Sequence, residues 1–337
     1  KMAEEVWMLQ TKKADFKQIG ARFRIDPVTA RIIRNRGIEG EAAIDRYLNG
    51  TLDDLYDPML LKDMERAVSI LCEAVDTGKK IRIVGDYDID GVCSTYILLQ
   101  AFERLGSDVD FEIPDRIKDG YGINESIIEQ AHADGVEVIL TCDNGISAFH
   151  QVELAKKYGM TVVITDHHEV PLDGEKEKIP PADAVIDPKQ ADCPYPFPEI
   201  CGAVVAYKLV QVLYARRGVP QMEWLDLLEF AAIATVGDVM KLQDENRILV
   251  KYGLKKMAQT KNLGLRRLAE KNNLDLGAIT AYHIGFVIGP CLNAGGRLKT
   301  AKEALALLRA QSEEEAERLA EELKELNDTR KDMTEQG

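Results

Sequence analysis

Ile81-Arg82-Ile83-Val84-Gly85-Asp86-Tyr87-Asp88-Ile89-Asp90-Gly91 joins a short β-rich run to a turn that carries three carboxylates. The branched residues suit a strand, and the Asp/Gly cluster suits its end. The apolar segment that follows, Val92 to Leu105, is long enough for a helix. Further strand candidates are Val109–Ile113, Val136–Thr141, Thr161–Thr165 and the short Ala184–Ile186. Between them, Glu125–Ala133 and Ala148–Tyr158 read as helical. Strands alternating with helices predict βαβ units, hence an α/β fold on a parallel, doubly wound sheet with helices on both faces.

The flanks read as helical. Before Lys80, Asp26-Pro27 opens a run with Val28, Ile32 and Ile33 on one face, Glu39–Leu48 forms a second helix and Met64–Val75 a third. After Cys201, helices are predicted over Ala203–Arg216, Trp224–Val236, Glu245–Met257, Gly264–Lys271 and Leu276–Ile288. From Ser312 to about Lys331 a charged helix carries Ala316, Leu319, Ala320, Leu323 and Leu326 as a thin apolar stripe, with no following domain to pack on. The expected organisation is a helical segment over 1–78, the α/β part over 79–200, a helical part over 201–310, and over 311–337 the start of a linker helix in a longer protein.

The 337 residues hold 43 Lys+Arg and 57 Asp+Glu, a formal charge of −14, with 45% hydrophobic and 30% charged residues. This is the balance of a globular protein with a substantial core. No apolar run approaches the roughly 18 residues that span a bilayer, so no membrane partner is expected. The six cysteines are scattered without a C-x-x-C pair, which suits a reduced, cytoplasmic protein and argues against a thiolate zinc site. The acidic balance opposes long-range attraction to nucleic acid but permits a local site where carboxylates hold cations against phosphate.

In an open parallel sheet, ligands bind beyond the carboxyl ends of the strands. Here those ends read Asp86-Tyr-Asp88-Ile-Asp90, Cys142-Asp143-Asn144-Gly145, Asp166-His167-His168-Glu169 and Asp187-Pro188-Lys189, with Asp238 closing a later apolar helix. Gathered carboxylates raise each other's pKa unless cations relieve them. Carboxylates with an imidazole suit Mn²⁺ or Mg²⁺ better than zinc. Two such ions about 3.5–4 Å apart activate a water and stabilise in-line displacement at phosphorus. The residues therefore point to a two-metal phosphoesterase. Asp86–Gly91 also looks like the start of an EF-hand loop, but Ile97 stands where a bidentate Glu is required, and the run follows a strand.

Three stretches together, Val84–Ser94, Thr141-Cys-Asp-Asn-Gly-Ile146 and Asp166-His-His168, resemble the DHH phosphoesterase superfamily. Within it, the chain resembles the RecJ family of single-strand-specific DNA exonucleases. That narrower likeness rests on Asp26-Pro27, Arg36-Gly-Ile38, Leu55-Tyr-Asp-Pro58, Ile113-Pro-Asp-Arg-Ile117 with Gly120-Tyr-Gly122, Tyr195-Pro-Phe197 leading to Cys201-Gly202, Ala234–Asp238 with Glu245-Asn-Arg247, and Gly289–Leu298. It runs from about residue 5 to residue 330.

The resemblance implies two divalent ions, Mn²⁺ or Mg²⁺. Asp86 and Asp88 would serve one, Asp90, His167 and Asp238 the other, and Asp143 would bridge them. Which of the first three Asp ligates directly and which orients a neighbour stays open at this level. Asp166 would orient a ligand, His168 would contact the scissile phosphate, and Arg116, Asn293 and Arg297 would contact phosphate or nucleotide. The implied activity is 5′→3′ hydrolysis of single-stranded DNA to nucleoside 5′-monophosphates. The setting is DNA repair and recombination, alongside a repair helicase or a single-strand-binding protein. Where the family pattern commonly carries Arg, this chain has Cys291, which would remove one basic contact. Nothing in the chain resembles the family's second substrate-binding domain or its OB-type domain. Rival readings are a DHH enzyme for short RNAs or cyclic dinucleotides, whose members usually lack the segment before Lys80, and a non-catalytic DHH scaffold, which would have lost its ligands. Family II pyrophosphatases place a His where this chain has Val84.

Overall fold

The computed structural model describes residues 12–115, 122–298 and 301–336. They form two compact units that divide after Leu55. In the smaller unit, α1 (Phe16–Phe23), α2 (Pro27–Asn35) and α3 (Glu41–Asn49) close on Ile33, Ile44 and Tyr47, with Ile19, Phe23 and Ile25 packed around them. Asp26 starts α2 as expected: its Oδ1 accepts the N–H groups of Val28 and Thr29, and Pro27 takes the first helical position, where no N–H is needed.

The larger unit begins with α4 (Met64–Asp76) and is built on five parallel strands: β1 (Ile81–Val84), β2 (Val109–Glu112), β3 (Val138–Cys142), β4 (Thr161–Thr165) and β7 (Ala184–Ile186). Their order is β2-β1-β3-β4-β7, so the chain reverses direction across the sheet between β1 and β3. Such a reversal opens a crevice at the carboxyl ends of the two strands. Alternate strand residues pack to opposite faces. Val84, Ile139, Val162, Ile164 and Val185 share one core cluster with α6 (Glu125–Ala133) and α7 (Phe149–Lys157). The strands also pack against α5 (Ile89–Arg104) and α8 (Gly202–Arg217). A small antiparallel hairpin, β5 (Leu172–Asp173) and β6 (Lys176–Glu177), was not expected from the sequence.

Four expectations need correction. Helix α5 starts at Ile89, not Val92, because Asp88 Oδ1 accepts the N–H groups of Asp90 and Gly91 and caps it. The single helix expected over Leu276–Ile288 is broken. A 3-10 turn (Leu276–Ala278) is followed by a new start at Thr280, α13 (Ala281–His283), a π turn (Ile284–Ile288) and α14 (Gly289–Leu298). The apolar stripe of α16 (Glu313–Gln336) is not left without a partner. Ala316, Leu319, Ala320 and Leu323 are buried, and α16 packs on α12 (Leu263–Lys271), α14 and α15 (Lys302–Arg309). The segment expected as Trp224–Val236 is two helices, α9 (Gln221–Leu225) and α10 (Leu228–Gly237), followed by α11 (Asp244–Met257). No helix among the described residues is long and apolar enough to cross a membrane.

Candidate metal centre

Strand register alone lines up four carboxylates. Val84 pairs with Thr141, Cys142 with Thr165, and Thr165 with Ile186. Asp86 and Asp143 each lie two residues beyond the first pair, while Asp143, Asp166 and Asp187 directly follow paired residues. The row therefore forms wherever these strands pair in this register. Asn144 ties the first two strand ends together: its Nδ2 donates to the carbonyls of Val84 (3.0 Å) and Cys142 (2.9 Å), and its Oδ1 accepts from Ile123 N–H (3.2 Å).

Three helix ends complete the cluster. The first turn of α5 brings Asp88 and Asp90, and the end of α10 brings Asp238. The amino end of α8 grips Asp90 from the other side, with Gly202 N–H donating to Oδ2 and Ala203 N–H to Oδ1, each at 2.7 Å. Helix N–H groups without intrahelical partners are ready donors for such a carboxylate and fix its orientation. The approach needs two glycines. A Cβ on Gly91 would lie 2.3–2.6 Å from the backbone of Asp86, and one on Gly202 would lie 2.7 Å from Asp143 Cβ. Asp143 itself holds φ at 60°, a left-handed conformation that Asp tolerates better than most residues.

At the middle sits His167, whose Nε2 is 3.0 Å from Asp143 Oδ1, 3.3 Å from Asp90 Oδ2 and 3.9 Å from Asp238 Oδ2. Potential ligand atoms of Asp86, Asp88 and Asp143 lie within 4.8 Å of one another, as do those of Asp90, His167 and Asp238, and those of Asp143, His167 and His168. All six residues expected as ligands are thus brought together. Asp143 and His167 each belong to two of the three groups.

The electrostatics are those of a site short of positive charge. Burial, then the neighbouring Asp88 charge, pushes Asp86 up to about 7, and burial with Asp90 and Asp88 does the same to Asp238. Burial and the surrounding carboxylates drive Asp143 well above the usual carboxylate range, and burial lowers His167. Asp86 Oδ1 and His167 Nδ1 are buried without a hydrogen-bond partner among the described residues. Oxygen donors with one or two imidazoles, several of them forced toward neutrality, match the demands of hard divalent cations of the Mn²⁺ or Mg²⁺ kind. The residues present fit such ions.

The flanking residues differ in character. Asp166 is held by Ile146 N–H on Oδ2 (2.9 Å) and His167 N–H on Oδ1 (2.8 Å), and the same Oδ1 meets His168 Nδ1 at 2.7 Å. Burial works against the charged His168 ring, but the Asp166 carboxylate outweighs it and lifts its pKa to about 9. The ring is 43% exposed, so a cationic donor faces solvent at the rim. Asn293 on α14 lines a hollow of about 300 Å³ with Tyr87, Asp88, Asp238 and Gly296. Arg116 lies outside the described residues, and Arg297 lies on α14 with its side chain outside the described atoms. Two supports were not read from the residues: the Gly202/Ala203 N–H pair and Asn144. The backbone donors leave no side-chain signal, and Asn144 was read only as a neighbour of Asp143 at its strand end, its role depending on which carbonyls the fold brings to it. Asp187 lies at the end of the row, its Oδ1 accepting from Lys189 N–H (2.8 Å).

A model of the DHH family, N-terminal domain, matches residues 80–235. Among solved structures, an exonuclease RecJ bound to manganese aligns with a TM-score of 0.74 at 35% identity, covering 82% of this chain and 68% of that one. The chain belongs to the RecJ family. RecJ of Thermus thermophilus in complex with Mn²⁺ aligns over 95% of this chain and 44% of its own, with a TM-score of 0.79 and 32% identity. The single-stranded-DNA-specific exonuclease RecJ of Bacillus subtilis is 38% identical over 328 residues, which is 97% of this chain and 40% of that protein. The chain spans about half the length of the curated relatives it matches, from 40% to 55% for the first two. Against the RecJ pattern, Cys291 is explained by its surroundings. It is fully buried, with Sγ 3.8 Å from Asn272 Nδ2 and 3.6 Å from Asn327 Nδ2, so this position faces α12 and α16 and not the hollow.

Proposed function

We propose that this chain is the catalytic part of a divalent-cation-dependent phosphodiesterase that degrades single-stranded DNA from the 5′ end to nucleoside 5′-monophosphates. The observation that carries the reading is the meeting of Asp86, Asp88 and Asp143 at one centre and Asp90, His167 and Asp238 at an adjoining one. RecJ relatives named as single-strand-specific exonucleases support the substrate class.

In this reading Asp86 and Asp88 would hold one ion, Asp90, His167 and Asp238 the other, and Asp143 would be shared between them. When bound, such a pair lowers the pKa of a water and withdraws charge from the phosphoryl oxygens. The rest falls to the chain. The α8 amino end fixes Asp90, leaving its remaining lone pairs directed at the cluster. Asp166 holds the His168 ring through Nδ1, so Nε2 is turned to donate to a non-bridging phosphoryl oxygen as charge builds there. Asn293 contacts phosphate or sugar from the hollow beside Asp88 and Asp238, and Arg116 and Arg297 serve the incoming strand. We place the protein in the cytoplasm, in DNA repair and recombination, with a repair helicase or single-strand-binding protein as partner.

The test is hydrolysis with Mn²⁺ of single strands labelled at the 5′ or the 3′ end. Early release of a labelled mononucleotide from the 5′-labelled strand alone is expected. Asp143→Ala should lower the rate by at least about 10²-fold with an unchanged circular dichroism spectrum. Full activity in that variant contradicts the reading.

A further inference from the structure

Two aromatic side chains stand apart from everything the metal centre uses. Tyr282 and Phe286 are 64% and 67% exposed, and their rings stack with centroids 4.8 Å apart and planes 28° from parallel. A lone exposed apolar residue is ordinary, but a stacked exposed pair marks a contact surface. The segment bearing them is anchored, because Thr280 N–H donates to His283 Nδ1 and starts the helix. The π turn over Ile284–Ile288 then leads directly into α14 and Asn293. Such turns recur at functional sites.

A track from the metal centre reaches the same π turn. A second hollow of about 180 Å³ is lined by Gly237, Gly285, Gly289, Pro290, Asn293 and Arg330. It shares Gly237 and Asn293 with the hollow that contains Asp88 and Asp238. The depression therefore runs from the carboxylate cluster to Gly285, which precedes Phe286 in the chain, with a guanidinium on its wall. Arg330 is steadied there by Asn327 Oδ1, which accepts from Nε (3.2 Å) and Nη2 (3.1 Å). Proteins grip unpaired strands without reading sequence by combining a cationic groove for the phosphates with aromatic faces for the bases. The chain's −14 balance gives the stacking contribution added weight, since net charge does not draw the phosphates in.

We propose that the Tyr282–Phe286 pair is a stacking platform for an unpaired base of the substrate strand, and that Arg330 holds a phosphate of the same strand. The proposal rests on the phosphodiesterase reading and names a binding subsite for it. Stacking of a base on an aromatic ring is worth about 5- to 100-fold in affinity. It does not release counterions, whereas each phosphate contact adds about 0.7 to the slope of log affinity against log salt for single strands.

The test uses the whole chain and a single-stranded oligodeoxynucleotide carrying 2-aminopurine, in EDTA so that no hydrolysis occurs. Binding to the unaltered chain should quench the probe. The double variant Tyr282→Leu/Phe286→Leu should lose the quench and bind about 5- to 100-fold more weakly with an unchanged salt slope. Trp at both positions should restore both readouts. Arg330→Gln should keep the quench and flatten the slope by about 0.7. Equal quench and affinity in the Leu variant overturns the platform, as does absence of any binding by the unaltered chain. In the first case the rings serve another partner, such as a protein domain. Hydrolysis of bis(p-nitrophenyl) phosphate with Mn²⁺ is measured alongside. It should be the same within about twofold in the Leu variant, because that substrate reaches only the metal centre. Its absence from the unaltered chain refutes the phosphodiesterase reading itself, separately from the platform.

Discussion

Gly202 occupies a tight position beside the carboxylates, because its N–H must reach Asp90 while its Cα passes Asp143. A methyl group there lands 2.7 Å from Asp143 Cβ and 2.9 Å from its Oδ1, so the helix end or the Asp143 carboxylate must move. Gly202→Ala should cost about 1–3 kcal/mol in urea unfolding. It should also weaken Mn²⁺ binding about 10- to 100-fold by calorimetry. Unchanged metal affinity would show that the α8 end does not set the geometry. A carboxyl away from the metal centre contributes to the pH dependence of stability. Glu229, at the start of α10, is 4% exposed, accepts a hydrogen bond from Thr260 Oγ1 (2.7 Å) and leaves Oε2 without a hydrogen-bond partner among the described residues. Burial raises it from 4.5 to about 7, against the pull of the Thr260 hydroxyl and Lys256. The folded state therefore binds this proton more tightly than the unfolded chain does. Stability from it is complete below about pH 4.5 and is lost as the pH rises through about 7. Glu229→Gln should remove this decline, which is on the order of 3 kcal/mol, and should be the more stable protein at pH 8. A parallel decline in both proteins contradicts the assignment.

At the level of elements, α8 carries both the clamp on Asp90 and a buried ion pair. Lys208 Nζ lies 3.1 Å from Glu245 Oε2 on α11 and donates to the Tyr56 carbonyl (3.1 Å), while Tyr195 Oη donates to Glu245 Oε1. Both charges are almost fully buried, at 1% and 0% side-chain exposure. Lys208→Met strands a carboxylate in the core and should destabilise the fold by about 3–5 kcal/mol, and adding Glu245→Gln should recover much of that loss. No recovery in the double variant would mean that packing, not charge, accounts for the effect. The same elements show what could be read from the chain. The five sheet strands were legible, four of them from runs of branched residues ended by Asp or Gly-Asp, and α2 from its Asp-Pro start. The true start of α5 was hidden because Asp88 looks like a ligand while also acting as the cap. Hairpin β5–β6 escaped because it is mostly exposed and has no apolar pattern to reveal it. The break at Thr280 escaped because Leu276–Ile288 keeps a helix-like apolar spacing across it. Lys208 gave no warning either, since a lysine in an apolar run reads as a surface residue until its partner is placed.

For the molecule as a whole, function follows from sheet order. The reversal between β1 and β3 sets strand ends with acidic turns side by side, and α5, α8 and α10 bring their ends to the same crevice. The residue types of this centre were legible in the sequence, because acids recur at successive strand ends. Their grouping into Asp86, Asp88 and Asp143 on one side and Asp90, His167 and Asp238 on the other came from the family resemblance and not from the residue types, since it depends on register and on backbone donors from α8. The central claim is that these side chains hold two ions at once, and electron paramagnetic resonance of the chain titrated with Mn²⁺ tests it most directly. The account predicts saturation at two Mn²⁺ per chain with a spin-coupled spectrum, as expected of ions about 3.5–4 Å apart. An uncoupled spectrum at saturation, or fewer than about one ion bound, would contradict it.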